Sequence, residues 1–112
     1  GSVFGASDQV KSMSVMEGNS VTLPTDFTEV QKVELIRWTY GPNSARIAEL
    51  NTLLNRISLY VLDGRFRGRL QLDDLTGSLT ITNIKNENAG VYRLQFIGGN
   101  EVPPKEFHII VS

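Results

Sequence analysis

His108 is the single histidine of this 112-residue chain, and there is no cysteine. Thiolate nucleophiles and the usual zinc sites are therefore excluded. A lone histidine inside the alternating run Glu106–Val111 reads as a strand residue rather than a base. Asp73-Asp74 pairs two carboxylates, as a calcium site would. Neighbouring side chains on a strand diverge, however, and Asp73-Asp74-Leu75-Thr76-Gly77 is more simply a turn. Arg65, Arg67 and Arg69 could line one side of an extended segment as a patch for heparin or phospholipid head groups. A solvated strand with one structural arginine accounts for them better. Gly98-Gly99-Asn100 has no phosphate-loop spacing and reads as a hairpin turn. No stripe of aromatic and basic residues supports nucleic-acid binding. These residues predict no catalytic site, cofactor or metal, which leaves binding as the function to look for.

Composition agrees. Hydrophobic residues make up 40% of the chain and charged residues 21%, ordinary values for a folded domain large enough to bury a core. The net charge of −1 gives no global field toward nucleic acid or a membrane surface. No apolar run reaches transmembrane length and no signal peptide is present. Gly1-Ser2 reads as a vector scar, so the expected unit is one domain over residues 1–112. No Asn-X-Ser/Thr sequon occurs; Asn19, Asn43, Asn51 and Asn83 all lack Ser or Thr two places on.

Period-two alternation between turn residues recurs along the chain, which predicts an all-β fold. Strands are expected at 9–15, 20–23, 33–40, 46–51, 68–73, 78–84, 91–97 and 106–111. Residues 52–62, with Leu53, Leu54, Ile57, Leu59 and Val61, fit either a ninth strand or a short helical turn. Eight or nine short strands without a long helix predict a Greek-key sandwich of two antiparallel sheets.

Two motifs narrow this further. Gly18-Asn19-Ser20-Val21-Thr22-Leu23-Pro24-Thr25 resembles the second strand of an immunoglobulin variable-type (V-set) domain, with Thr25 where the first core cysteine would stand. Asn88-Ala89-Gly90-Val91-Tyr92-Arg93-Leu94 resembles strand F, with Leu94 at the second. Trp38 falls where strand C carries its tryptophan. Losing the disulfide forgoes about 4 kcal/mol by the chain-entropy model. Packing of Leu94 against Trp38, with Leu23, Ile36, Leu79, Ile81 and Phe96, can offset it at roughly 1.5–3 kcal/mol per large side chain. Tyr92, two residues before the second cysteine position, matches the tyrosine corner, so its hydroxyl should bond nearby backbone. Arg69 resembles the arginine that pairs with an Asp before strand F; here that position is Asn88, and Arg65 is the other candidate.

Absence of both cysteines is similar to the first domains of the SLAM-type lymphocyte adhesion receptors and their ligands, which use a hydrophobic pair instead. Ile36-Arg37-Trp38-Thr39-Tyr40-Gly41 resembles their strand C and Ile47-Ala48-Glu49-Leu50 their strand C′. Arg65–Asp73 followed by Gly77-Ser78-Leu79-Thr80-Ile81 resembles their D–E hairpin. The resemblance covers residues 10 to 111. It implies an extracellular, cell-surface recognition domain, anchored only through segments absent from this chain. Its partner would be another immunoglobulin-like domain, including a second copy of itself, bound through the sheet of strands G, F, C, C′ and C″.

Alternation assigns the two faces of that sheet. With Ile36 and Trp38 inward, Leu35, Arg37 and Thr39 point outward. With Tyr92, Leu94 and Phe96 inward, Arg93, Gln95 and Ile97 point outward. The resemblance adds Arg46, Glu49 and Asn51, with a bulge able to shift that parity. Glu106 and His108 join if Phe107, Ile109 and Val111 are core. Mixed charge permits self-association about a two-fold axis. Two other readings stand beside this one: a divergent immune receptor domain that binds through its loops, and a structural module of an intracellular filament protein. The short 98–100 turn opposes the first, and the long 51–68 segment opposes the second.

Overall fold

The structure is a computed structural model that describes residues 10–26, 32–99 and 101–112. Nine strands form two sheets: β1 (Val10–Val15), β2 (Val21–Leu23), β3 (Leu35–Tyr40), β4 (Ala45–Asn51), β5 (Arg56–Leu59), β6 (Leu70–Leu72), β7 (Leu79–Ile81), β8 (Gly90–Ile97) and β9 (Lys105–Val111). The large sheet runs β1-β9-β8-β3-β4-β5 and the small one β2-β7-β6. All pairings are antiparallel except β1 with β9. Among the described residues there is no α-helix; a 3-10 turn spans Asn86–Asn88. The ambiguous 52–62 segment resolves as a turn followed by β5. Expected strand positions at Gln9 and the turn residue Asn100 lie outside the described residues.

Alternation explains the sandwich. Leu23, Ile36, Trp38, Leu79, Ile81 and Leu94 are fully buried between the sheets, together with Val33, Ile84 and Phe107. Trp38 lies directly beside Leu94 in the β3–β8 register, and its ring centroid is 5.5 Å from that of Phe107. A second aromatic cluster closes one end: Tyr40 packs on Phe66 at 5.3 Å and on Tyr92 at 4.8 Å. Burial of these rings is the main apolar compensation for the missing disulfide.

The two cysteine positions do not form an apolar pair. Leu94 is apolar and buried, but Thr25 is a buried polar residue whose hydroxyl donates to Thr76 O at 2.9 Å. The Thr25 carbonyl in turn accepts from Lys105 Nζ, and Lys105 is the register partner of Leu94. A hydrogen bond between the sheets thus stands beside the place a disulfide would occupy. A polar group buried there is tolerable because its donor and acceptor are both used.

Tyr92 donates its hydroxyl to Asn88 O. Asn88 is fully buried and organises the turn before β8. Its Oδ1 accepts from Lys85 N at 2.9 Å and from Arg69 Nη2 at 3.1 Å, while Nδ2 donates to Arg65 O at 3.2 Å. Arg69 also lies 3.8 Å from Glu87. Arg65 does not share this role; its guanidinium sits 5.5 Å from the centroid of the Tyr40 ring.

Candidate recognition face

The outward face of the large sheet is built by strand pairing. In β3, Leu35 pairs with Ile97 on one side and Asn51 on the other; Arg37 pairs with Gln95 and Glu49; Thr39 pairs with Arg93 and Arg46. The register slips between Trp38 and Thr39, leaving Ile47 as the extra residue of a bulge. Ile47 and Ala48 are both buried as a result, and Arg46 and Glu49 emerge on the same outward face despite odd spacing. Arg93 pairs with Glu106 across β8–β9. On β5, Arg56 lies opposite Asn51 and Ser58 opposite Glu49.

Both glutamates of this face are already partnered. Arg37 Nε donates to Glu49 Oε2 at 2.7 Å, Arg46 approaches the same oxygen at 3.7 Å, and the Tyr60 hydroxyl donates to Glu49 Oε1 at 3.2 Å. Glu106 accepts from Arg93 Nε at 3.0 Å and from His108 Nε2 at 2.6 Å. A carboxylate can only accept, so that His108 nitrogen carries the proton. The His108 hydrogen bond first, and then Arg93, hold the Glu106 carboxyl below the usual carboxylate range against an opposing effect of burial. Exposed cross-strand pairs of this kind contribute about 0.2–1 kcal/mol each. Their larger effect is to fix the long arginine side chains in place.

Two expectations change in detail. Thr39 has outward parity but is only 4% exposed, because its register neighbours on both sides are arginines; it offers a partner little surface. Asn51 spends its side-chain oxygen on Leu54 N at 3.0 Å, closing the β4–β5 turn. That turn is tied to the residue just before β3 by Thr52 N donating to Glu34 O at 3.1 Å. It carries Leu53 and Leu54, 74% and 62% exposed, at the same end of the sheet as Leu35 and Ile97. The face therefore runs from an apolar end to a charged end. The leucines were visible in the sequence, but periodicity alone did not separate a turn tip from a strand there.

The remaining candidates are structural. Leu23, Thr25, Ile36, Trp38, Leu79, Ile81, Asn88, Tyr92 and Leu94 are buried, and Arg69 is held at the turn before β8. Tyr40 and Phe66, absent from the sequence-based core, complete it. The outer side of the small sheet is different in kind, with Thr22 and Thr80 hydrogen-bonded to each other at 2.8 Å. Among the described residues no group of His, Asp and Glu could hold a metal ion.

Comparison with known proteins places this geometry. Residues 8–112 match the family model of the immunoglobulin V-set domain. In sequence the chain is similar to SLAM family member 5 of Mus musculus, 27% identical over 89 residues; the match covers 80% of this chain and 26% of that protein. The chain thus spans about a quarter of that relative's length. In structure it is similar to the first immunoglobulin-like domain of the human CD48 antigen, with a TM-score of 0.75, 23% identity, and coverage of 92% and 82% of the two chains. It is also similar to CD84, with a TM-score of 0.73, 17% identity, and coverage of 91% and 96%. The chain belongs to the immunoglobulin V-set family, a non-enzymatic family, and resembles its SLAM-type members while lacking the core disulfide.

Proposed function

We propose that this V-set domain is an extracellular recognition module that binds another immunoglobulin-like domain through the outward face of the large sheet. The observation that carries the reading is the make-up of that face. Leu35 and Ile97 form an apolar cross-strand pair at one end, and rigid ion pairs Arg37–Glu49 and Arg93–Glu106 follow along the strands. An apolar anchor beside oriented charges supplies both contact area and specificity. The small sheet presents mainly short polar side chains and offers no comparable anchor. Similarity to SLAM family member 5 supports the same assignment, as does structural similarity to the CD2-binding domain of CD58. Placement at a cell surface belongs to this proposal. Among the described residues no helix is long and apolar enough to cross a membrane.

The experiment is binding of fluorescent tetramers of the domain to an array of cell-surface V-set domains from the same source, the domain itself included. Ile97→Asp should abolish binding, whereas Gln71→Asp on the small sheet should leave it intact. Binding lost in the second and kept in the first would assign recognition to the other sheet. A loop-centred reading has one observation in its favour, the exposed Leu53 and Leu54 at the β4–β5 turn. It requires Leu53→Ser/Leu54→Ser to cost more affinity than Ile97→Asp.

A further inference from the structure

The outward strand positions of the large sheet carry four arginines, Arg37, Arg46, Arg56 and Arg93, against two glutamates, Glu49 and Glu106. The face therefore has an excess of two positive charges, on a chain whose net charge is −1. The molecule is electrically polarised, and its net sign hides the sign of the recognition surface.

Neither glutamate is available to a second copy. Glu49 is engaged by Arg37 at 2.7 Å, Arg46 at 3.7 Å and Tyr60 at 3.2 Å. Glu106 is engaged by Arg93 at 3.0 Å and His108 at 2.6 Å. A two-fold dimer would have to break one such pair to make each equivalent pair between copies, which gains nothing. The exposed Arg46 and Arg56 would meet a surface of their own sign, and like charges across an interface oppose association. Mixed sign alone permits self-pairing; the arrangement of the pairs weighs against it.

We infer that the large-sheet face takes a different V-type chain whose own sheet face carries an excess of carboxylates, rather than a second copy of this chain. The inference rests on the face assignment made above. Arg56, and Arg46, whose side chain is 57% exposed and only 3.7 Å from Glu49, are the residues placed to meet those carboxylates, since Arg37 and Arg93 bind their own glutamates at 2.7 and 3.0 Å. Leu35 and Ile97 supply the apolar contact, and the charges select the partner and speed encounter.

The test has two arms. Sedimentation equilibrium of the domain alone, from micromolar to millimolar, should show a monomer. The tetramer array should yield a non-identical V-set domain whose affinity falls at least about tenfold with Arg46→Gln/Arg56→Gln, and severalfold when salt rises from about 50 to about 300 mM. Both arginines are exposed, and the variant should melt like the wild type. Two results would overturn the inference and leave the face assignment standing. One is reversible self-association abolished by Ile97→Asp. The other is a partner lost with Ile97→Asp yet indifferent to salt and to the arginine variant. A bound partner indifferent to Ile97→Asp, or no bound domain at all, would remove the face assignment and the inference with it.

Discussion

Trp38 reaches across the sandwich and donates its indole N–H to the carbonyl of Gly77 at 2.8 Å. Trp38 belongs to β3 of the large sheet and Gly77 to the turn between β6 and β7 of the small one, so this bond joins the two sheets. The position favours glycine: its φ is +78°, and a Cβ there would lie 2.7 Å from Ile36 Cδ1, which would have to move. With the Lys105–Thr25 bond, it gives the domain two polar ties between sheets in place of a covalent one.

Gly77→Ala should therefore destabilise the domain by about 1–3 kcal/mol, from backbone strain and displacement of Ile36. Trp38→Phe should cost at least about 1 kcal/mol, since the Gly77 carbonyl loses its donor. Urea melts measure both. A Gly77→Ala variant as stable as the wild type would show that the turn is not held by this contact.

Leu94 occupies the second cysteine position beside Trp38. Leu94→Ala should cost roughly 2–5 kcal/mol, because a cavity opens between two packed sheets. A shift in urea stability below about 0.5 kcal/mol would contradict its place at the centre of the core.

Tyr92 is buried and its hydroxyl bonds the Asn88 carbonyl. Tyr92→Phe should cost about 1–3 kcal/mol, since the carbonyl is left without its donor. Burial pushes the Tyr92 hydroxyl above the ordinary tyrosine range. The stability tied to its neutral form is thus complete below that range and is lost as pH rises through the higher folded value. Alkaline unfolding monitored by tyrosinate absorbance should show one hydroxyl that ionises only with unfolding, and Tyr92→Phe should remove it.

Glu106 gives the opposite pH dependence. Its folded carboxyl lies below the usual value, through His108 and then Arg93. Its contribution is full above the ordinary carboxylate range, about pH 4–5, and is lost as pH falls through the lower folded value. Carboxyl-carbon NMR should find Glu106 titrating below the ordinary carboxylate range. Glu106→Gln should flatten that part of the acid stability profile. Titration of Glu106 within or above that range would contradict the geometry.

Most of the strand order was legible because period two is strong where one face is buried, as in Leu35–Tyr40 and Gly90–Ile97. Residues that act across long sequence distances were not. The Ile47 bulge shows no local signal; two buried residues in succession appear only once β3 pairs with β4. Phe66 lies among turn residues, and its burial depends on Tyr40 and Tyr92 arriving from other strands. Thr39 had the right parity, but its covering by Arg46 and Arg93 is a property of three paired strands. The resemblance implied a hydrophobic pair at the cysteine positions, whereas Thr25 uses its hydroxyl and carbonyl instead. Arg37 points outward, as alternation predicted. Its register with Glu49 makes Arg37→Glu place two carboxylates face to face, so Arg46, 57% exposed, is the cleaner probe.

The central claim is that recognition occurs on the outward face of the large sheet. The most direct measurement is NMR amide-shift mapping of the isotope-labelled domain on addition of an unlabelled V-set domain that binds it. The account predicts changes concentrated at Leu35, Arg37, Arg46, Glu49, Gln95, Ile97 and Glu106, with Thr22, Gln71 and Thr80 of the small sheet unmoved. Changes centred on the small sheet, or confined to the loops with the large-sheet strands silent, would contradict it.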